Sequence, residues 1–241
     1  MLRRCLVPII AALWLAAVAP AAQAQTFPPA KTIEPSANWS GYVAENAYYT
    51  HVTALMEAPT PAVLQHIGTA WSWVGIGGLQ SHDLIQAGLI EAQSGNVFAE
   101  SAWYELLPAP PVIVPVDVEP GAWMQVDIRE LRFNRWQITI VNGASVFQQE
   151  FTYASAHNTA EWVLEAPSIV NGQNVAGFLP LAGVSGANFA KMGATANGAD
   201  AIPTQLSPTP LAIAAGPMKA VPTAFNADGS SFSVVTLPAQ L

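Results

Sequence analysis

Trp136-Gln137-Ile138-Thr139-Ile140-Val141-Asn142-Gly143 is the stretch whose pattern decides the fold. Apolar and polar side chains alternate through Ile140, which is the period of a strand with one face on a core and the other in water. Asn142-Gly143 follows, and both residues tolerate the positive φ that closes a hairpin onto a return strand at Ser145–Thr152. Asp228-Gly229 repeats the arrangement between Ala220–Phe225 and Ser231–Leu237. Further strands are expected at Trp39–Ala44, Ala70–Ile76, Asp83–Glu91, Asn96–Leu106, Val112–Val118, Trp123–Leu131, Glu161–Leu164 and Asn188–Ala196. No window of a dozen residues keeps a 3.6 period, and 20 prolines disfavour long helices. The reading is an all-β chain, a β-sandwich of two packed antiparallel sheets.

Only 10% of the 241 residues are charged, whereas an average globular domain carries roughly 25%. Arg3 and Arg4 precede an apolar run from Leu6 to Ala19, and Ala22-Gln23-Ala24 supplies small residues for a signal-peptidase cut. Residues 1–24 therefore read as a secretory signal. The run falls short of the roughly 20 residues of a membrane-spanning helix, so no membrane association is expected after its removal. The protein is expected outside the cell, or in the periplasm of a Gram-negative host. Gln25–Pro35 has no periodicity and reads as a flexible N-terminus or short pro-segment. Residues 36–241 read as one domain, expected to be monomeric, in which Gly193–Pro222, rich in Ala, Pro and Thr, looks like a surface excursion.

Past residue 24, Lys31, Arg129, Arg132, Arg135, Lys191 and Lys219 face all 16 acids. Such a chain is repelled by phosphate backbones, which excludes nucleic acid as a partner. The single cysteine, Cys5, leaves with the signal, and with it any disulfide, thiol nucleophile or cysteine metal site.

There is no Gly-x-Ser-x-Gly elbow and no His-Glu-x-x-His. The four histidines lie scattered without a second ligand at suitable spacing, so neither metal nor other cofactor is expected. His82-Asp83 cannot serve a Ser-His-Asp triad, because adjacent residues on a strand point to opposite faces. What remains is a set of tryptophans and a few polar groups inside apolar strands. Trp71 and Trp73 share one strand face, and Trp103-Tyr104-Glu105 forms a second aromatic strand; these rings either fill a core or floor a groove. Gln86 is the lone polar side chain of Leu84–Ile90, and Glu161 opens the apolar run Glu161-Trp162-Val163-Leu164. A polar group there is costly unless hydrogen-bonded or working. Each also has a structural reading: a capping carboxylate, and a buried amide tying two strands together.

These segments resemble the glutamic peptidases, or eqolisins. In family order, Asn38-Trp39-Ser40-Gly41 resembles the N-terminal Asn-Trp-Ala/Ser-Gly, and Trp73-Val74-Gly75-Ile76-Gly77-Gly78 resembles Trp-Val-Gly-Ile-Asp-Gly. Ile85-Gln86-Ala87-Gly88 is similar to the segment of the catalytic glutamine. Ala102-Trp103-Tyr104-Glu105 with Pro108 resembles Ala-Trp-Tyr-Glu-x-x-Pro, and Ala160-Glu161-Trp162-Val163 resembles the segment of the catalytic glutamate. The resemblance implies a concanavalin A-like or jelly-roll sandwich and a secreted acid endopeptidase acting on polypeptides. It makes Glu161 the general base and later acid, and Gln86 the group that holds the water and stabilises the oxyanion. Trp39, Trp73, Trp103 and Glu105 match positions lining the family's cleft. Gly77 and Ser101 stand where relatives carry aspartates, so two carboxylates of the usual network are missing, which bears on the pKa of Glu161 and the pH optimum.

Two other readings follow from the residues alone. One is a non-catalytic, lectin-like carbohydrate-binding sandwich with Trp39, Trp73 and Trp103 as a sugar platform. The other is a glycoside hydrolase pairing Glu105 with Glu161, which their separation would decide.

Overall fold

A computed structural model describes residues 25–62, 65–171, 174–214 and 218–238. The expected signal at residues 1–24 lies outside the described residues. The chain is all-β, as its alternation demands. Its strands are β1 (Glu34–Ser36), β2 (Trp39–Ala44), β3 (Tyr49–Glu57), β4 (His66–Gly77), β5 (Leu84–Gly95) and β6 (Val97–Leu106). There follow β7 (Val112–Ile113), β8 (Trp123–Arg132), β9 (Arg135–Asn142), β10 (Ser145–Thr152), β11 (Ala160–Glu165) and β12 (Ser168–Asn171). The last six are β13 (Asn174–Phe178), β14 (Ala187–Ala196), β15 (Ala199–Ala201), β16 (Thr209–Ile213), β17 (Met218–Pro222) and β18 (Phe232–Pro238). A single helical turn, α1, spans Pro203–Leu206.

Hydrogen bonding joins 16 of these strands into one continuous curled sheet, in the order β10-β9-β8-β3-β14-β18-β17-β16-β2-β11-β4-β5-β6-β7, with β1 against β16 and β15 against β14; β12 and β13 pair separately. Among the described residues every strand pairing is antiparallel except β1 with β16. The β9–β10 hairpin closes one residue later than Asn142-Gly143 suggests. Asn142 pairs with Ser145, and Gly143, at φ +57, takes the first turn position. Val112–Val118 keeps only the two residues of β7 as strand. The stretch 193–222 is more regular than its composition implies, since β15, α1, β16 and β17 lie in it.

The two arms of the curled sheet share one core. Tyr42, Val74, Ala87 and Trp162 contribute from β2, β4, β5 and β11, and Val52, Val126, Ile138 and Phe189 from β3, β8, β9 and β14. The Trp162 indole N–H donates to the carbonyl of Thr53 at 3.1 Å, tying arm to arm. Each buried Val, Ile or Phe side chain of this core contributes about 1.5–3 kcal/mol by leaving water. A second cluster lies on the opposite face of β4, β5, β6 and β11, where Trp73, Leu84, Trp103 and Val163 pack with Trp39 and Trp71 at its margin.

Candidate active site

The second face carries the polar groups singled out by the sequence. Strand register lines them up: Glu161 on β11 lies opposite Gly75 on β4, Gly75 opposite Gln86 on β5, and Gln86 opposite Glu105 on β6. Residues opposed across a sheet share a face, so one row holds Glu161, Gln86 and Glu105. Gly75 sits between the first two. A Cβ there would lie 2.9 Å from a Leu84 methyl and 3.0 Å from the ring edge of Trp73, so the missing side chain makes room for both. The next row along contains Val163, Trp73, Gly88 and Trp103, and the row after it Glu165, Trp71, Ile90 and Ser101.

Glu161 is completely buried. Neither of its carboxyl oxygens has a hydrogen bond of ordinary geometry, and the amide oxygen of Gln86 also lacks a partner. The Gln86 Nε2 donates to Glu105 Oε2 at 2.6 Å, which fixes the plane of the amide. Burial pushes the Glu161 carboxyl well above the ordinary carboxylate range; the Thr159 hydroxyl opposes the shift, while the negative charges of Asp83 and Glu45 add to it. Burial also raises Glu105, against the pull of the Gln86 hydrogen bond.

Of the three tryptophans expected to line a cleft, only Trp39 keeps exposed surface, whereas Trp73 and Trp103 are wholly buried. Trp39 packs edge-on against Trp73, their centroids 5.0 Å apart. Trp73 and Trp103 are therefore the packed wall beneath the row rather than its surface, because four aromatic rings crowd one sheet face and shield one another. Sequence reasoning missed Glu165. It lies on the same face as Glu161, since the two are four apart in one strand, and period two alone would have found it. Trp73 Nε1 donates to Glu165 Oε2 and Asn38 Nδ2 to Oε1, both at 2.9 Å. Burial raises its pKa to about 7 against those hydrogen bonds.

Loops close one end of the row. Tyr153 accepts from the Leu84 N–H through its hydroxyl at 2.8 Å and donates to the Leu107 carbonyl at 2.9 Å. Gly77 N donates to the Thr159 carbonyl at 3.2 Å. A cleft of about 330 Å³ lies nearby, lined by Glu45, Tyr49 and Asn197 among others, but by none of Glu161, Gln86 and Glu105. Among the described residues no group of three or more His, Cys, Asp or Glu could hold a metal ion, and no helix is long and apolar enough to cross a membrane.

The family model described as peptidase A4 matches residues 37–236, a span that holds the whole row. The chain belongs to the peptidase A4 family. It is a peptidase of the glutamic type. This A4 peptidase has the fold of scytalido-glutamic peptidase, solved with a transition-state analogue inhibitor: the TM-score is 0.70 at 18% identity, over 84% of this chain and 99% of that one. It is similar in the same way to SCP-B, an eqolisin solved with the tripeptide Ala-Ile-His, with a TM-score of 0.65, 17% identity and the same coverage of both chains. For the aspergilloglutamic peptidase of Aspergillus niger the TM-score is 0.58 at 19% identity, over 70% of the A4 peptidase and 99% of that chain. No curated protein sequence matches the A4 peptidase.

Proposed function

We propose that this A4 peptidase is a secreted acid endopeptidase that cuts polypeptides with Glu161 and Gln86. The observation that carries the reading is the row of Glu161, Gly75, Gln86 and Glu105 on one sheet face. Glu161 takes a proton from the attacking water and returns it to the leaving amine. Gln86 directs its second amide hydrogen at the developing oxyanion, a task a neutral group performs at any pH. Glu105, by accepting from Gln86 Nε2, prevents that amide from turning away. Substrate must part the cover over Glu161, since the carboxyl has no exposed surface. We further read the curled sheet as a two-layered sandwich, its arms joined by their common core, and residues 1–24 as the segment that directs export. The protein then works outside the cell or in the periplasm, as a monomer free of the membrane. The sugar-platform alternative needs Trp73 and Trp103 at the surface, and both are buried.

A base must be ionised, so raising its pKa moves the acid limb of kcat/KM upward. The expected profile therefore rises at higher pH than an ordinary glutamate, with a pKa of about 4.3, would set. The test is digestion of casein across the pH range by wild type, Glu161→Gln and Gln86→Ala, in the presence of pepstatin. Wild type is expected to digest, both variants to fold and fail. Full proteolysis by Glu161→Gln sinks the reading.

A further inference from the structure

The turn between β4 and β5, residues 78–83, ends in an aspartate that the row does not include. Asp83 Oδ2 accepts from the Ala156 N–H at 2.6 Å, so a side chain at the start of β5 grips the segment that leads into β11. That segment is also held by the Tyr153 hydroxyl and by Gly77 N on the Thr159 carbonyl, two residues before Glu161. The aspartate folds back over Gly77. A Cβ on Gly77 would stand 2.6 Å from the Asp83 carbonyl oxygen and 3.0 Å from its Oδ2, and Gly77 is held at φ +93. The place a side chain at 77 would take is thus filled by the Asp83 carboxylate. The turn itself is closed by Gly78 N donating to the Ser81 hydroxyl at 3.2 Å, and Gln80 contacts Glu45 across the same end of the sheet.

We propose that Asp83 is a positioning residue for Glu161: its carboxylate ties the β4–β5 turn to the segment entering β11 and stands a negative charge beside the Glu161 carboxyl. The inference rests on the reading of Glu161 as the base. The titratable groups that interact with that carboxyl are Asp83 from the turn, Glu45 from the β2–β3 connection and Tyr49 from β3; Glu105 lies farther along the row on β6, Glu165 four residues on in β11, and Tyr153 stands beside Asp83. Asp83 and Glu45 are the two whose charge resists ionisation of Glu161. A turn that served folding alone would leave the protonation of Glu161 untouched, whereas a charge beside it sets the pH at which the base becomes available.

The experiment compares wild type, Asp83→Asn, Asp83→Ala and Glu161→Gln on a peptide that the wild type cleaves, with kcat and KM measured across pH. Asp83→Asn keeps an oxygen able to accept from Ala156 N and removes only the charge, so its acid limb of kcat/KM is expected lower by roughly half a pH unit or more, with kcat largely retained. Asp83→Ala loses the tie as well, and its kcat is expected to fall roughly tenfold or more while KM changes little. A limb in Asp83→Asn that coincides with wild type, with Glu161→Gln inactive, overturns the role of Asp83 and leaves Glu161 as the base. An active Glu161→Gln overturns both. Should Asp83→Ala fail to fold, the near-isosteric Asp83→Asn decides by its limb.

Discussion

At the scale of single residues the site depends on one absence as much as on its polar groups. A methyl at Gly75 would press on the Trp73 ring, on Leu84 and, at 3.2 Å, on the Ile85 carbonyl. Overpacking of this kind costs about 1–3 kcal/mol. Gly75→Ala is therefore expected to lower the melting temperature by several degrees and to cut kcat, because Gly75 itself lies between Glu161 and Gln86 in the row. A variant with wild-type melting and turnover would show that the wall has slack. Glu161 and Gln86 were legible beforehand because each is a lone polar group in an apolar run, where a charge or amide demands a reason. Asp83 and Glu165 were not, since a carboxylate at a turn or at the end of a strand is ordinary. The three tryptophans were legible as a cluster, but whether a ring faces solvent depends on its neighbours across the sheet, which alternation along one strand does not contain.

At the scale of elements, β11 owes its placement to what grips it. It lies between β2 and β4, paired along all six of its residues with each. Its lead-in is anchored from the far arm by Glu130, whose Oε1 accepts from Asn134 N at 2.7 Å, in the β8–β9 turn, and contacts His157 Nε2 at 3.0 Å. His157 stacks on Tyr48 with centroids 4.2 Å apart and holds φ +57. Glu130→Ala removes a carboxylate on which the Asn134 N–H and the buried His157 ring converge and is expected to cost about 3 kcal/mol, read as a shifted denaturant midpoint, with a larger loss in kcat than in KM. Unchanged turnover in a destabilised variant would separate the anchor from the site. Elements with clean alternation, such as β9, were readable to within a residue or two. Strand β3 was missed because Leu55 turns outward in Val52-Thr53-Ala54-Leu55-Met56 and blurs the period. The region 193–222 hid its strands because alanine and proline carry little periodic signal; Pro210, for instance, is buried within β16.

At the scale of the whole molecule, sparse charge acquires a sign. Glu91 and Glu100 face each other across β5 and β6 on the core side of the sheet. Burial raises both, Glu100 to about 7, and each feels a neighbouring carboxylate, Glu100 on Glu91 and Glu119 on Glu100. With Glu105, Glu161 and Glu165 they make five carboxyls raised by folding. Between the ordinary value of 4.5 and the raised ones, the folded protein holds protons that the unfolded chain has released. Stability is then fully present below the unfolded value and falls as pH rises through the raised values, about 7 for Glu100 and Glu165. The melting temperature is expected to be higher at pH 4 than at pH 8, and Glu91→Gln to flatten the difference. The reverse order would contradict the burial of these groups. The all-β class was legible in the alternation, whereas one continuous sheet was not, because which strands become neighbours depends on pairings between distant parts of the chain.

The strand order carries one more consequence. Among the described residues β1 pairs only with β16, and β2, which brings Trp39, only with β11 and β16. The first two strands to leave a ribosome thus have no partners until the last third of the chain exists. Loop closure on that scale is slow, so folding waits for a finished polypeptide. A chain that stays open for so long is one that can be threaded through a narrow channel before it locks.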